Sequence, residues 1–330
     1  MHLPRKPRRL QGQHPQRRDS TSTSTFDAAE SVRFCYPPSP PIAPAFPTLR
    51  HSAVSRMLSI TCAAQSSRLC RGLHSAAANA CWPLGGWWLS STSRLSGSSR
   101  SSNSLTIVLP GVEGRSPLNW SIAQGLNDGG LTGSIQVYDW TTGLWPLFPY
   151  HLRAHRRNRA QALAIAQSIV AWQDAHEGCE TYLVGHSGGA ALTSWVLEAM
   201  PKGRTVTAAA MLGPALPRGY RLTKALSGVR EALWNFWTPL DLVFLAAGTL
   251  LCGNLDGTHA VSGGFAGFKI PLNLPDEDAS LYSERLRQFC FTPKLLRHLH
   301  LGGHMSWAHR LFIAEVVAPK LLNHEPSKCS

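Results

Sequence analysis

The sequence predicts an α/β fold, with a mostly parallel, doubly wound sheet and helices on both faces. From residue 104 to about 325, short apolar segments alternate with amphipathic helical segments, which is the order typical of a parallel sheet. The turn Gly185-His186-Ser187-Gly188-Gly189 connects one apolar segment directly to a helical one. Ser187, Asp241 and His304 each follow a different predicted strand. Because the carboxyl ends of parallel strands meet at one edge of a sheet, we expect these three side chains to lie together.

Residues 1–103 differ from the rest of the chain in composition. They hold 13 of the 32 Lys and Arg residues but only 3 of the 19 Asp and Glu residues, and they are rich in Ser and Pro. Such a segment buries too little apolar surface to offset the entropy that it loses on ordering. We therefore predict a disordered basic extension over residues 1–103 and one folded domain over residues 104–325. Because Met57 offers a second start, the sequence leaves open whether residues 1–56 are translated.

The composition constrains the partners and the compartment only in part. A basic tail can bind nucleic acid or anionic lipid, but no zinc-finger spacing or aromatic-interleaved basic strand accompanies it, so we expect no nucleic-acid partner. The apolar run Trp82–Leu89 is too short to span a membrane, and no transmembrane segment is predicted. The 8 cysteines include no Cys-x-x-Cys pair, and neither a metal nor a cofactor is predicted. Whether the soluble domain is cytoplasmic or exported, and its oligomeric state, stay open.

The first half of the predicted domain contains two strands and two helices. Leu105–Leu109 is an apolar run ended by a Pro-Gly pair, and Ser134–Tyr138 is a second β-prone run, so both predict strands. Asn119–Asn127 is followed by two glycines, and Arg159–His176 has apolar residues at helical spacing, so both predict helices. The residues between them, Thr141–Asn158, predict a long loop that is a candidate lid.

The second half continues the alternation. Val206–Leu212 and Ala232–Trp237 are apolar runs of strand length, and Leu222–Val229 between them predicts a helix. Leu295–Leu301 is predicted to be the last strand, and Ser306–Leu322 is predicted to be the closing helix.

The turn around Ser187 has the context of a nucleophile elbow. The β-prone run Tyr182–Val184 precedes it, and a small-residue helical segment follows it and ends before Pro201. Gly185 and Gly189 flank the serine, and the lack of a Cβ at both positions lets strand and helix pass close together. The turn would hold the serine hydroxyl above the sheet, near the positive end of a helix. A Gly-x-Ser-x-Gly pattern also arises by chance, and the alternative interpretation is an ordinary turn with a serine helix cap.

Ser187, His304 and Asp241 are the candidate catalytic residues. A serine hydroxyl is a weak nucleophile at neutral pH, so it needs a base that takes its proton. The base in turn needs a carboxylate that fixes its tautomer and stabilises its cation. Ser187 is the candidate nucleophile, His304 the base and Asp241 the acid. Asp256 is the alternative acid, although its Asp-Gly context favours a turn.

Other residues compete for the role of the base. His298 and His300 fall within the predicted last strand, and His309 falls within the closing helix, whereas His304 follows two glycines in a loop. Among the carboxylates, Asp139 also ends a predicted strand but precedes Ser187 in the chain. We interpret it as a residue that stabilises its own loop, with a position facing the substrate as the alternative.

Four stretches of the chain resemble the α/β-hydrolase superfamily. They are Leu109-Pro110-Gly111-Val112-Glu113-Gly114-Arg115-Ser116, Tyr138-Asp139-Trp140-Thr141-Thr142-Gly143, the elbow around Ser187, and His300-Leu301-Gly302-Gly303-His304. The resemblance covers residues 104 to about 322 and is closer to poorly characterised bacterial members. The order Ser, Asp, His along the chain is also that of the superfamily's triad. The first two strands usual in the superfamily are not evident before Leu105, and the loop after that strand lacks the His-Gly-Gly-Gly of many lipases.

The resemblance implies a serine esterase or lipase-like hydrolase that cleaves a small-molecule carboxylic ester through an acyl-enzyme. It places an oxyanion hole at the amide of Gly188 and at an amide in the loop of Val112 and Glu113. Two fixed donors there stabilise the negative oxygen of a tetrahedral intermediate. The alternatives are an acyltransferase or thioesterase on the same fold, and a non-catalytic ligand-binding protein that keeps it.

Aromatic residues near the expected site are candidates for an apolar substrate pocket. These residues are Trp140, Trp145, Phe148, Trp237 and Trp307. For Trp195 and Trp234 we expect packing in the core instead. The Gly-rich stretch from Gly248 to about Glu284 is a second candidate lid.

Overall fold

Residues 67–81 and 103–323 are described in the structure, a computed structural model, and their six strands form one sheet. The strands are β1 (Ser104–Leu109), β2 (Ser134–Val137), β3 (Glu180–His186), β4 (Val206–Leu212), β5 (Val229–Trp237) and β6 (Leu286–Cys290). Every neighbouring pair is parallel. The order across the sheet is β2-β1-β3-β4-β5-β6, which confirms the predicted α/β fold with a parallel sheet.

Helices connect the strands and cover the sheet. The α-helices are α1 (Arg68–Cys81), α2 (Pro117–Asp128), α3 (Phe148–Arg153), α4 (His155–Ala175), α5 (Gly188–Ala199), α6 (Thr223–Ser227), α7 (Thr249–Leu251), α8 (Gly263–Ala266), α9 (Asp276–Arg285), α10 (Arg310–Phe312) and α11 (Ala318–Leu322). Short 3-10 helices span Trp145–Leu147, Pro293–His298 and His304–Ala308, and π-helical segments span Leu242–Gly248 and Ile313–Val317. Within the two described ranges, no strand precedes β1.

Both faces of the sheet are buried. Ile107 and Val108 are neighbours on β1 and point to opposite faces. Ile107 belongs to the core cluster that contains Trp195 of α5, and Val108 belongs to the cluster that contains Ile122 of α2 and Trp234 of β5. The core packing predicted for the two tryptophans is therefore confirmed. Strands covered on both faces are apolar along their whole length, which explains why the apolar runs locate β1 and β4 to within one residue.

Helix α1 lies within the region for which the composition predicts disorder. Its buried residues are Gly72, Ser75 and Ala78. Ser75 Oγ lies 2.9 Å from Ser121 Oγ of α2, and the N–H of Arg310 donates to the same Ser75 oxygen at 2.5 Å. The prediction of disorder is therefore wrong for α1. Residues 1–66 and 82–102 lie outside the described residues, and the domain boundary at residue 104 stays a prediction.

The last strand of the sheet is not the predicted one. Leu295–Leu301 was expected to form it, but residues from Pro293 to His298 form a 3-10 helix, and β6 comes earlier in the chain. β6 is an edge strand in which only Leu286 is fully buried. Because an edge strand needs few apolar residues, Arg287 and Gln288 hide its β character in the sequence.

Two other expectations differ from the structure in detail. The predicted loop Thr141–Asn158 contains a 3-10 turn, α3 and the start of α4. The predicted closing helix Ser306–Leu322 is a succession of 3-10, α and π turns. Changes of helical type of this kind are not visible in the apolar spacing of a sequence, because 3-10 and π segments occur as short pieces of about one turn.

Candidate active site

Ser187 occupies a sharp turn between β3 and α5. Its φ of 55° and ψ of −117° lie in a region that residues other than glycine rarely adopt, and such strain is found where the surroundings hold the backbone in place. Here the N–H of Ser187 donates to the carbonyl of Leu212 at 2.9 Å. The carbonyl of Ser187 accepts from the N–H groups of Ala191 at 3.1 Å and Ala215 at 3.2 Å. These bonds fix the residue to β4 and α5.

The two glycines around this turn are needed for close packing. A Cβ at Gly185 would lie 2.3 Å from the carbonyl oxygen of Gly189, and a Cβ at Gly189 would lie 2.1 Å from that of Pro110. Real Cβ atoms do not approach backbone oxygens so closely, since contacts shorter than van der Waals separation cost energy steeply. The strand-turn-helix geometry expected from the sequence is therefore present.

His304 and Asp241 form a buried hydrogen-bonded pair. The Nδ1 atom of His304 donates to Oδ2 of Asp241 at 2.5 Å. The other carboxylate oxygen, Oδ1, accepts from the N–H groups of Phe244 at 3.2 Å and Leu245 at 3.3 Å, where it caps the π-helical segment that follows. Burial alone would raise the pKa of Asp241, but its interactions with His304 and with these two amides together hold that pKa below its ordinary value. The pair leaves Nε2 as the ring nitrogen of His304 that can exchange a proton.

The structure separates the rival acid from this pair. Asp256 Oδ1 accepts from the N–H of Thr258 at 3.0 Å and from its hydroxyl at 2.7 Å, which is the turn that its Asp-Gly context predicts. Asp241 is the carboxylate that contacts His304.

The rival histidines have other partners. His298 Nδ1 lies 2.6 Å from a carboxylate oxygen of Glu315. His300 packs against Trp307, with ring centroids 4.1 Å apart, and burial lowers its pKa to about 3. Burial also lowers the pKa of His309, to about 4.

Ser187 and His304 line the same cavity at the carboxyl edge of the sheet. Its volume is about 190 Å³, and the loop residues Val112 and Glu113 lie in its wall. β1 and β3 are neighbours in the sheet, and the strands that follow them in the chain, β2 and β4, lie on opposite sides of this pair. The connections that leave β1 and β3 therefore run in opposite directions. Ligands of open α/β sheets bind at such a switch point.

The apolar walls of this cavity differ from the expected set of tryptophans. Phe148, Leu152, Phe244 and Leu245 are among the apolar residues that line it. Of the expected residues whose side chains the structure describes, Phe148 alone is in this lining. Trp140 and Trp307 are fully buried, and Trp237 is also absent from the lining. Trp140 instead packs behind Gly188 and donates its indole N–H to the Pro110 carbonyl at 2.7 Å. The prediction for the side chain of Trp145 stays a prediction.

The loop between β1 and α2 lies beside Ser187. Its residues 111 to 114 form a turn in which the N–H of Gly114 donates to the Gly111 carbonyl at 3.1 Å. Val112 packs so closely on Gly188 that a Cβ at position 188 would lie 2.7 Å from Val112 Cγ1. The predicted oxyanion-hole residues Gly188, Val112 and Glu113 are thus neighbours of the serine turn.

Glu113 also brings a half-buried carboxyl group into the cavity wall. Its Oε1 accepts from Asn119 Nδ2 at 3.2 Å and from Ser116 Oγ at 3.4 Å. Burial raises its pKa, whereas its own backbone amide, Asn119, His304 and the amide of Gly111 act in the opposite direction. The resemblance implied a role only for the backbone of Glu113, and no local pattern in the sequence pointed to its side chain.

Two further histidines, His186 and His151, lie near the site. The place of His186 beside Ser187 predicts packing or a hydrogen bond behind the elbow rather than a catalytic role. His186 lies in the cavity wall, and its Nε2 lies 3.3 Å from the carbonyl oxygen of His304. Burial, together with the neighbouring His304, lowers the pKa of His186 to about 3, so this ring is neutral. His151 contacts the Val112 carbonyl, and no pattern in the sequence indicated a role for it.

No helix among the described residues is long and apolar enough to cross a membrane. The same residues hold no group of three potential metal ligands.

No protein-family model and no curated protein matches the chain. Among solved structures, the acylaminoacyl peptidase of Pyrococcus horikoshii is similar over 71% of this chain, with 12% identity and a TM-score of 0.38, and this chain covers 39% of the peptidase. Est1E from Butyrivibrio proteoclasticus is similar over 66% of this chain and 86% of its own, with 12% identity and a TM-score of 0.37. A cutinase-like protein from Cryptococcus sp. is similar over 68% of this chain and 95% of its own, with 15% identity and a TM-score of 0.33.

These TM-scores are too low to support an argument, and the assignment of the fold rests on the chain itself. The parallel sheet of order β2-β1-β3-β4-β5-β6, the strained serine after β3, the aspartate after β5 and the histidine after β6 match the expected superfamily pattern. The chain therefore has the α/β-hydrolase fold.

Proposed function

We propose that this protein is a serine hydrolase that cleaves a carboxylic ester, with Ser187 as nucleophile, His304 as base and Asp241 as acid. The observation that carries the proposal is the buried His304–Asp241 pair at the cavity that also contains Ser187. A histidine held at Nδ1 by a carboxylate has its Nε2 free to take a proton from a serine hydroxyl.

The reaction would proceed in two halves. Ser187 Oγ attacks the carbonyl carbon of the ester while its proton moves to Nε2 of His304. The tetrahedral intermediate collapses, its C–O bond breaks, and His304 returns the proton to the departing alcohol. Water then attacks the acyl-enzyme and gives a proton to His304. Collapse of the second intermediate releases the carboxylic acid and returns that proton to Ser187 Oγ.

The loop after β1 would supply part of the oxyanion hole. Each tetrahedral intermediate carries a negative oxygen, and fixed N–H donors stabilise it more than they stabilise the ground state. The N–H of Gly188, at the start of α5, and the N–H of Glu113 are the donors that we assign. The dipole of α5 adds to this stabilisation because its positive end is at Gly188.

The surroundings of the cavity favour an apolar substrate. The segments that supply its apolar walls also expose further large apolar side chains, namely Leu144, Leu147, Tyr150, Leu242, Val243, Leu250 and Leu251. Contiguous exposed apolar surface commonly marks a site of ligand or partner contact. The volume of about 190 Å³ is below the roughly 300–1,000 Å³ of sites for drug-sized ligands, so the enclosed part of the substrate is small.

The first experiment is a hydrolysis screen of p-nitrophenyl acetate, butyrate, octanoate and palmitate. We expect kcat/KM to be highest for the acetate or butyrate ester and to fall for the palmitate, because the cavity holds only a short acyl group. Replacement of Phe148 by alanine removes part of the wall and is expected to shift the optimum toward longer chains. Leu272→Ala is the matched control, since Leu272 is 90% exposed and does not line the cavity.

Two results of this screen would contradict the proposal. A folded protein with no activity on any ester above the Ser187→Ala variant would remove the esterase assignment. A profile that is unchanged in Phe148→Ala would show that the acyl group binds outside this cavity.

A further inference from the structure

The loop after β1 is held by a second segment of the chain. We call Pro110–Arg115 the oxyanion loop and Asp139–His151 the support segment. The indole N–H of Trp140 donates to the Pro110 carbonyl at 2.7 Å, and Nδ1 of His151 donates to the Val112 carbonyl at 2.8 Å. The N–H of Arg115 donates to Asp139 Oδ2 at 3.3 Å. Three contacts from the support segment thus reach the beginning, middle and end of the oxyanion loop.

The protonation of His151 follows from its partners. A carbonyl oxygen only accepts, so Nδ1 carries the hydrogen in the bond to Val112. Nε2 is then an acceptor, and it receives the N–H of Thr142 at 3.2 Å and the Thr142 hydroxyl at 2.8 Å. Burial lowers the pKa of His151, and the charge of Arg157 acts in the same direction. The neutral ring therefore has a partner at each nitrogen, and one tautomer satisfies both.

The ring itself is fixed in position. His151 is fully buried, and its backbone carbonyl accepts from Asn158 Nδ2 at 2.6 Å. Thr142 is held in turn by the loop that precedes it, in which Asp139 Oδ1 accepts from the N–H of Thr141 at 2.9 Å and from its hydroxyl at 2.7 Å. The interpretation of Asp139 as a loop-stabilising residue is thereby confirmed.

A fixed carbonyl of Val112 also fixes the next N–H group. The peptide unit is planar and trans, so the Val112 C=O and the Glu113 N–H point in opposite directions. The bond to His151 holds the carbonyl on the side of the support segment. Val112, Glu113 and Ser187 all line the cavity. The Glu113 N–H, opposite the bonded carbonyl, is therefore the group of this peptide unit that is left to donate to an oxygen bound beside Ser187.

We propose that His151 is a positioning residue that aims the Glu113 N–H into the oxyanion hole by holding the Val112 carbonyl. The inference rests on the proposed serine-hydrolase function, because an oxyanion forms only if Ser187 attacks a carbonyl. It gives the Tyr138-Asp139-Trp140-Thr141-Thr142-Gly143 stretch a role in catalysis without contact with substrate.

The test compares His151→Leu with His151→Asn in the full-length protein. Leucine removes the donor, whereas the asparagine amide can place an N–H near the position of Nδ1. With p-nitrophenyl butyrate, we expect His151→Leu to lower kcat by about 10²–10³, the effect of losing one oxyanion-hole donor, with a change in KM of less than about threefold. We expect His151→Asn to recover at least about tenfold of that loss.

A matched control separates positioning from general stability. His176 Nδ1 also donates to a backbone carbonyl, that of Trp172 at 2.9 Å, but it lies near the amino end of β3. His176→Leu is expected to keep kcat within about threefold of the wild type. Thermal midpoints of all three variants identify any loss of folded protein, and kcat is corrected by active-site titration with a fluorophosphonate.

Four outcomes distinguish the inference from the proposed function. A wild-type protein that neither hydrolyses esters nor reacts with the fluorophosphonate contradicts the function itself. An active wild type with less than a tenfold loss of kcat in titrated, folded His151→Leu contradicts the inference alone. Equal kcat in the leucine and asparagine variants, or a rise in KM that accounts for the loss, also overturns it. If His151→Leu does not fold, the inference depends on His151→Asn, whose kcat must fall below that of the wild type by no more than about 10², with KM within about threefold; an unchanged kcat or a larger fall overturns it.

Discussion

Replacing Ser187 with alanine is expected to lower kcat for the best p-nitrophenyl ester by about 10⁶, the loss known for the nucleophile of another serine hydrolase. Without Oγ, the acyl-enzyme cannot form, and only direct attack by water remains. The oxyanion donors and the substrate cavity persist, so KM should change little. Steady-state kinetics measure both quantities.

Ser194→Ala is the control for this change. Ser194 lies on the same helix and is fully buried, and its hydroxyl donates to the Ala191 carbonyl at 2.9 Å. Because it does not line the cavity, its loss should leave kcat within a few-fold of the wild type. A Ser187→Ala protein that keeps more than a tenth of the wild-type turnover would show that Ser187 is not the nucleophile.

The second large effect is expected at Asp241. Asparagine keeps an oxygen that can cap the π-helical segment, but it presents an NH₂ group to Nδ1 of His304. The ring must then accept at Nδ1 and carry its hydrogen on Nε2, which is the wrong tautomer for a base. A loss of about 10⁴ in kcat follows from such a change, and we expect the same order here with little change in KM.

Asp256→Asn is the matched control for Asp241→Asn, because Asp256 accepts only from Thr258 in its own turn. Its turnover should stay within about threefold of the wild type. If Asp256→Asn were the more damaging change, the acid role would pass to Asp256. Mild and equal effects of both changes would mean that neither is the acid.

The depressed pKa of Asp241 also predicts a dependence of stability on pH. A carboxyl group with a lower pKa in the folded state than in the unfolded state stabilises the fold fully above its unfolded pKa. That contribution disappears as the pH falls through the folded pKa. The difference in unfolding free energy between the wild type and Asp241→Asn should therefore be largest near neutral pH and shrink in acid, as measured by urea denaturation at several pH values.

The serine turn and the aspartate that pairs with His304 could be found in the sequence because local rules determine them. Gly185 and Gly189 are required by contacts of about 2 Å that any Cβ would make, and this constraint acts within a few residues of Ser187. Asp241 lies four residues after β5, and the second half of that strand is buried and therefore visibly apolar. Asp256 lies further along the connection between β5 and β6. The alternation of elements therefore already indicates that Asp241 is the aspartate nearer to a strand end.

Other features could not be found because their residues lack the expected pattern. Helix α1 buries Gly72, Ser75 and Ala78, and small residues at its interface leave no large apolar stripe. β6 is concealed by Arg287 and Gln288 because it is an edge strand. Trp140 and Trp307 are buried and do not line the cavity. Residue type alone does not indicate which of these two positions a tryptophan takes.

His151 could not be found for another reason, because its contacts join residues that are far apart in the chain. Its function in this account arises from contacts with Val112, which is 39 residues away along the chain, and with Thr142. A single histidine between aromatic and basic residues gives no local signal for such a contact. The stretch from Tyr138 to Gly143 was conspicuous in the sequence, but the hydrogen bonds that explain it require the folded chain.

The most direct test of the central claim is covalent labelling with a fluorophosphonate, followed by intact mass measurement and peptide mapping. The account predicts one adduct per wild-type chain, located on Ser187, with no adduct on Ser187→Ala and far slower labelling of Asp241→Asn. A folded wild-type protein that remains unlabelled, or a label that appears equally on Ser187→Ala, would contradict the assignment of Ser187 as an activated nucleophile.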